Sequence, residues 1–103
     1  MDVSTESAAP DHVSDEERLE ARVLRAFIKE SRLTAIPARE KKRRVVLRYL
    51  RDECFSEDRP YSEAEVNQRL ALWHRDVAAL RRYLIEAGLL TREAGIYRLA
   101  ERR

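Results

Sequence analysis

The sequence predicts a mainly α-helical protein with a small β-hairpin, arranged as a winged helix-turn-helix with an extra N-terminal helix. Residues 61–99 carry the main observation: two helical segments separated by a short break are followed by two short β-prone runs. Upstream, two more apolar stripes with the spacing of a helix predict two further helices. From residue 39 onward the order is helix, brief extended piece, helix, helix, strand and strand, which is winged-helix order.

The N-terminal part is predicted to hold a tail and one helix. Residues 1–13 are acidic and polar and are expected to be disordered, whereas residues 14–103 form a single domain. A helix is predicted over residues 14–30, because Ser14 is a favoured N-cap and three acids follow it in the first turn. Its apolar residues recur at Leu19, Val23, Ala26 and Phe27. This helix is expected either to cover the core or to pair with a second copy of the chain.

A break over residues 31–38 precedes the second helix. Pro37 disfavours helical backbone at the residue before it, and Leu33 is expected to pack against the domain. The second helix is predicted from about residue 39 to residue 54, followed by a turn and a one-bridge strand at Tyr61. Its apolar stripe consists of Val46, Leu47, Leu50 and Cys54.

The third and fourth helices have clear start and stop signals. Ser62 and Glu65 match the capping box, in which each side chain bonds the backbone N–H of the other residue. A break at residues 74–75 separates the two helices, and Gly88 is the expected left-handed residue after the fourth. The residues predicted to face inward are Val66, Leu70, Trp73, Val77, Leu80 and Leu84. Two alternating runs then flank a tight turn at residues 93–95.

Composition excludes several classes of protein. Charged residues make up 39% of the 103 residues, and no apolar run approaches the roughly 18 residues of a membrane span. The N-terminus lacks the apolar segment of a signal peptide. Cys54 is the single cysteine, which excludes an internal disulfide and fits a reducing compartment. We therefore expect a cytoplasmic protein with no membrane partner.

The charge is divided unevenly along the chain. Residues 1–20 have a net charge of −6, and residues 21–103 have a net charge of +8. An acidic arm on a basic body suggests a body that meets polyanions and an arm that screens it. The alternative is an arm that is simply a solvated tail.

The fourth helix is the candidate for reading DNA. With its apolar face inward, it directs Arg75 and Arg82 outward, where they can reach phosphates or guanine edges. Asp76 and Glu86 on the same helix would repel DNA. The alternative is a helix that packs its apolar side and solvates its charges.

Other arginines in this region have different expected roles. Arg81 falls on the inward stripe, where a buried guanidinium needs a carboxylate partner, and Asp76 and Glu65 are the candidates. Arg92 and Arg98 flank the hairpin and are expected to be solvated strand charges.

A second basic cluster opens the second helix. Cations at a helix N-terminus oppose the helix dipole, so another interaction should favour them there. Phosphate neutralisation is one such interaction, and a solvated helix start near the acidic arm is the alternative. The cluster consists of Arg39, Lys41, Lys42, Arg43 and Arg44.

No catalytic or metal-binding constellation is recognisable. His12, His74 and Cys54 lack metal-ligand spacing, and no nucleophile has a histidine placed to activate it. His74, at the helix break, is interpreted as a capping or partly buried histidine, and Cys54 as a core residue. We expect a protein that is not an enzyme and has no cofactor or metal.

Several strings resemble an uncharacterised bacterial family, the domain of unknown function 2087. They are RLTAIPAREKKRRVVLRYL, YSEAEVNQRL and HRDVAALRRYLIEAGLLTR, and the resemblance extends from about residue 31 to residue 99. Its most specific pieces are YSEAEVN and the segment from Asp76 through LRRYL. The resemblance implies a winged-helix-like fold in a setting of transcriptional regulation, with members that stand alone or are attached to helix-turn-helix regulators. It implies no known reaction.

Two functional hypotheses follow. The first is a DNA-binding transcriptional regulator that contacts double-stranded DNA, as a homodimer through the helix at residues 14–30. The second is a non-catalytic protein-interaction or effector-sensing module whose partner is a regulator protein. The DNA hypothesis places its contacts at Lys41, Lys42, Arg43, Arg44, Arg75 and Arg82.

Overall fold

A computed structural model describes residues 14–100 of the chain. The predicted acidic tail at residues 1–13 lies outside the described residues. The described part holds four helices and two small antiparallel sheets. The helices are α1 (Asp15–Phe27), α2 (Glu40–Cys54), α3 (Glu63–Ala71) and α4 (Val77–Glu86). The strands are β1 (Ile28–Lys29), β2 (Arg32–Leu33), β3 (Tyr61–Ser62), β4 (Leu90–Glu93) and β5 (Ile96–Leu99).

The start of α1 is capped as predicted, and its end comes earlier than predicted. The Ser14 hydroxyl accepts a hydrogen bond from the backbone N–H of Glu17 at 3.0 Å, and the Glu17 carboxylate accepts one from the backbone N–H of Ser14 at 2.9 Å. The helix ends at Phe27 rather than near residue 30, because the backbone is already extended at Ile28. Glu30 and Ser31 then take positive φ angles of 52° and 62°. These two residues turn the chain into the β1–β2 hairpin, which the helical pattern did not predict.

All four helices contribute to a single core. Leu50, Val66, Leu70, Leu80 and Leu84 have no exposed surface. The apolar face of α1 joins this core through Val23, with Leu19, Leu24 and Phe27 packed beside it. In the segment between α1 and α2, Leu33 is buried as predicted. The N-terminal helix thus covers the core of its own chain.

The C-terminal hairpin belongs to a three-stranded sheet with the order β3-β5-β4. Tyr61 pairs with Tyr97 and Ser62 with Ile96, so the predicted one-bridge strand is two residues long. The β4–β5 turn places Ala94 and Gly95 at φ angles of 54° and 79°, which is the pattern of a tight hairpin turn with two left-handed residues. The fold is therefore mixed α/β, with a layout compatible with a winged helix.

No helix within residues 14–100 is long and apolar enough to cross a membrane.

Candidate nucleic-acid interface

At the start of α3, only one of the two hydrogen bonds of the predicted capping box is formed. The Ser62 hydroxyl accepts a hydrogen bond from the backbone N–H of Glu65 at 3.1 Å. The Glu65 carboxylate does not return this bond. It accepts hydrogen bonds from Arg59 at 2.6 and 3.1 Å and from Arg69 at 2.9 Å. The prediction of a complete box was wrong, because two arginines near this carboxylate offer it charge-assisted bonds.

The same two arginines enclose Tyr61. Their guanidinium carbons lie 4.2 Å (Arg59) and 5.3 Å (Arg69) from the centroid of its ring. The Tyr61 hydroxyl donates to the carbonyl of Glu57 at 2.8 Å. These contacts tie the loop before α3 to the helix and hold the pKa of Glu65 below its usual value, chiefly through the hydrogen bond from Arg59. The cluster is structural and lies at the opening of the helix-turn-helix segment.

In the break before α4, two side chains make capping hydrogen bonds to the backbone. The Asp76 carboxylate accepts a hydrogen bond from the backbone N–H of Ala79 at 3.2 Å, so Asp76 is the N-cap of α4. The ring of His74 accepts one from the backbone N–H of Asp76 at 3.0 Å, in agreement with its interpretation as a capping histidine. The carboxylate that was predicted to repel DNA therefore has a structural role.

The outward face of α4 agrees with the sequence pattern. Arg75, Ala78 and Arg82 are exposed, while Leu80 and Leu84 are buried. Arg82 lies 3.8 Å from the carboxylate of Glu86, and both side chains are about 60% exposed. An ion pair this long and this exposed contributes little to stability, so Arg82 remains accessible to another anion.

Basic residues from α2 and α4 meet around Tyr83. The guanidinium carbon of Arg43 lies 4.3 Å from the centroid of the Tyr83 ring, and that of Arg82 lies 5.4 Å from it. Arg43 and Tyr83 also line a small cavity of about 50 Å³, and Arg44 lines it with them. We call Arg43, Arg44 and Arg82 with Tyr83 the Tyr83 cluster. The cavity is also lined by Glu40, Leu47, Glu86 and Ala87.

Arg43 has a second role in this cluster. Its guanidinium donates hydrogen bonds to the backbone carbonyls of Pro37 and Ala38 at 3.2 and 2.9 Å. These bonds close the turn that leads into α2, whose N-cap residue makes no side-chain capping bond. Part of the basic run at the start of α2 is thus explained by local structure.

Three predicted contact residues stand apart from the Tyr83 cluster. Lys41 and Lys42 are exposed in the first turn of α2, and Arg75 lies before the N-cap of α4, about 10 Å along the helix axis from Arg82. Within residues 14–100, their side chains form no hydrogen bond or ion pair. They are available to solvent or to a ligand.

A groove of about 380 Å³ separates α4 from the β4–β5 hairpin. Arg81 faces it and donates a hydrogen bond to the side-chain carbonyl oxygen of Asn67 at 2.6 Å. The expected carboxylate partners were wrong, because Asp76 caps α4 and Glu65 binds Arg59 and Arg69. The groove is lined by Glu63, Ala78, Arg81, Arg82, Ile85, Glu86, Arg92 and Tyr97.

The hairpin side of the groove holds contacts that the sequence did not indicate. The Tyr97 hydroxyl donates to Glu63 at 3.0 Å, and Arg92 lies 3.7 Å from the same carboxylate. Burial, followed by the contact with Glu63, raises the pKa of Tyr97. Arg92 was expected to be simply solvated. Its partner Glu63, the first residue of α3, could not be inferred, since Glu63 and Arg92 are far apart in sequence.

Cys54 behaves as a core residue. It is buried, and burial raises the pKa of its thiol to about 11. The thiol is therefore protonated at neutral pH and is a poor nucleophile and metal ligand. Residues 14–100 contain no group of three or more histidine, cysteine and acidic side chains that could hold a metal ion.

Comparison with known proteins identifies a family. Residues 32–99 match the family described as uncharacterized protein conserved in bacteria (DUF2087). No curated protein and no solved structure matches the chain. The matched region runs from β2 to β5 and includes the Tyr83 cluster and the groove. The chain belongs to this family.

Proposed function

We propose that this member of the DUF2087 family is a cytoplasmic DNA-binding transcriptional regulator that uses a winged helix-turn-helix. The order of elements from α2 to β5 and the sheet order β3-β5-β4 support this assignment. In such a layout the second helix of the helix-turn-helix enters the major groove, and here that helix is α4. The hairpin after it would lie beside the DNA backbone.

The observation that carries the proposal is the Tyr83 cluster. Arg43 from α2 lies 4.3 Å from the centroid of the Tyr83 ring and Arg82 from α4 lies 5.4 Å from it, so cations from two separate segments approach one side chain. Cations that neutralise phosphates release counterions, and this release supplies most of the affinity of nonspecific DNA binding. Lys41, Lys42 and Arg75 would extend the contact from the starts of α2 and α4.

The acidic residues of α4 oppose DNA binding less than their number suggests. Asp76 is engaged as the N-cap, where its carboxylate offsets the positive end of the helix dipole. Glu86 lies 3.8 Å from Arg82, which is longer than a charge-assisted hydrogen bond. A phosphate oxygen can therefore approach Arg82 more closely than Glu86 does.

The test is a fluorescence anisotropy titration of a labelled random-sequence duplex at several salt concentrations. We expect the wild-type protein to bind at roughly 50 mM salt and to weaken linearly in log Kd against log salt. The double variant R75A/R82A should bind at least about tenfold more weakly, with a salt slope smaller by about two.

The matched control is R22A/R25A, which removes the same charge from two exposed arginines of α1. It should bind nearly as well as the wild type. If the wild type fails to bind at low salt, or if both double variants weaken binding equally, α4 does not read DNA.

A second candidate function is a protein-interaction or effector-sensing module, and one observation favours it. Leu72, at the turn between α3 and α4, is 69% exposed and lines a surface pocket with the half-buried Trp73, which gives this turn an apolar surface that a partner protein can cover. A stoichiometric partner protein whose binding is unchanged in R75A/R82A and lost in a Leu72→Glu variant would favour this candidate over DNA binding.

A further inference from the structure

The groove between α4 and the β4–β5 hairpin has an unbalanced charge. Three arginines line it, Arg81, Arg82 and Arg92, together with two carboxylates. Arg82 lies 3.8 Å from Glu86, and Arg92 lies 3.7 Å from Glu63. Arg81 is the remaining cation, so the lining carries one surplus positive charge.

Arg81 is satisfied by a neutral group only. It is half-buried, and its one hydrogen bond within residues 14–100 is the 2.6 Å contact with the amide oxygen of Asn67. No carboxylate of those residues lies within 4 Å of its nitrogens. A partly desolvated guanidinium without a counter-charge is costly, and a guanidinium has five N–H donors. The remaining donors can be used by an anion that enters the groove.

The opposite wall of the groove is held in place. The Tyr97 hydroxyl donates to Glu63 at 3.0 Å, which orients this carboxylate toward β5 and toward Arg92. Tyr97 is buried, and the positive charges of Arg81 and Arg92 both act on its ring hydroxyl. The guanidinium carbon of Arg92 lies 5.8 Å from the centroid of the Tyr97 ring, and Arg81 lines the same groove from α4.

We propose that this groove is an anion site that takes one phosphate group, with Arg81 as its central ligand and Arg82 and Arg92 at its rim. A guanidinium binds phosphate through two parallel hydrogen bonds, and one monoanionic phosphate neutralises the surplus charge. The proposal goes beyond the proposed function, because a free phosphate ester occupies the groove without any DNA. A backbone phosphate of a duplex is the second source of the same chemistry.

The test is a titration with inorganic phosphate at constant ionic strength, with chloride as the reference anion. The side-chain Nε–Hε signals of the arginines in a ¹⁵N–¹H spectrum report binding. We expect the Arg81 signal to shift and saturate in wild type, and R81Q to bind phosphate about tenfold more weakly.

R98Q is the matched control, since Arg98 follows Tyr97 on β5 and points to the other face of the strand. It should titrate like the wild type. Asn67→Ala leaves the Arg81 charge in place and frees another donor, so it should bind phosphate at least as tightly as wild type. If R81Q does not fold, the comparison of N67A and R81K with wild type decides: R81K should weaken binding and N67A should not.

Absence of saturation by phosphate in wild type, or equal affinity in wild type and R81Q, overturns the proposal. Duplex titrations with and without phosphate then identify the source. If phosphate weakens duplex binding by the wild type but not by R81Q, a backbone phosphate of the duplex occupies the groove. Phosphate binding that depends on Arg81 in a protein that binds no duplex supports this inference and removes the proposed function.

Discussion

Individual charged residues of this protein have partners that their spacing in the sequence does not predict. Glu65 stands three residues after Ser62, which is the spacing of a capping box, yet its carboxylate binds Arg59 and Arg69. Arg81 lies on an inward helical stripe, yet its partner is the amide of Asn67. The Glu65 outcome follows from strength of interaction, because a carboxylate binds a guanidinium more strongly than a backbone N–H. The Arg81 outcome has a different cause: Asp76 caps α4 and Glu65 is held by Arg59 and Arg69, so neither carboxylate reaches Arg81.

The pairing of Glu65 predicts a pH dependence of stability. Its pKa in the folded state lies below the usual 4.5, so the ionised carboxylate stabilises the fold above that pH. This contribution is lost as the pH falls through the lowered pKa. We expect E65Q to be less stable than wild type near pH 7, and the difference to shrink as the medium is acidified. Urea denaturation at a series of pH values measures it.

Glu93 provides the control for this experiment, since it is an exposed carboxylate on β4. E93Q should follow the wild-type profile across the whole pH series. A difference between E65Q and wild type that stays constant with pH would mean that the charge of Glu65 contributes nothing.

At the scale of the element, α4 combines a structural start with an exposed face. Asp76 caps the helix, Leu80 and Leu84 bury one side, and Arg82 lies on the other. Asp76 therefore stabilises the start of the helix, while its negative charge repels any anion that binds at the N-terminal end of α4. The two effects can be separated, because asparagine caps a helix about as well as aspartate but carries no charge.

The variants D76N and D76A separate capping from charge. We expect D76N to keep the free energy of unfolding within a few tenths of a kcal/mol, and D76A to lose about 1 kcal/mol. Both variants should bind duplex DNA more tightly than wild type at low salt, because each removes one negative charge near the proposed contact. Denaturant titration and anisotropy provide the two readouts. Tighter binding by neither variant would place Asp76 away from DNA.

At the scale of the whole molecule, one small core holds every described element. The N-terminal helix, the segment after it, the helix-turn-helix and the sheet all send apolar residues into it. Domains of this size are only marginally stable, so the loss of a single central side chain should affect the entire fold. Leu80 has no exposed surface and comes from α4, which connects the core to the candidate interface.

Two leucines of the helix-turn-helix segment test this dependence. L80A should lower the free energy of unfolding by about 3 kcal/mol, because it removes buried methyl groups and leaves a cavity. L72A should change it by less than about 0.5 kcal/mol, since Leu72 is 69% exposed. Thermal unfolding followed by circular dichroism compares them. Similar losses in both variants would show that Leu72 is buried in solution, for example against a second copy.

The sequence by itself determined the local elements of this protein. Ser14 and Ser62 predicted two helix starts, and Gly88 predicted one helix end. These predictions succeeded because the hydrogen bonds of caps and left-handed turns join residues only a few positions apart. Apolar spacing likewise identified the buried faces of α2, α3 and α4. The β1–β2 hairpin escaped prediction, since its turn at Glu30 and Ser31 uses left-handed residues without glycine.

Only the tertiary structure decided which charges meet. The approach of Arg43 and Arg82 to the Tyr83 ring joins residues from different elements. The contacts of Arg81 with Asn67 and of Arg92 with Glu63 do the same. Such meetings depend on how helices and strands are oriented in the packed core, and neither helical period nor local spacing encodes that orientation. Local interactions set the elements, and packing set the charged surface on which the proposed function depends.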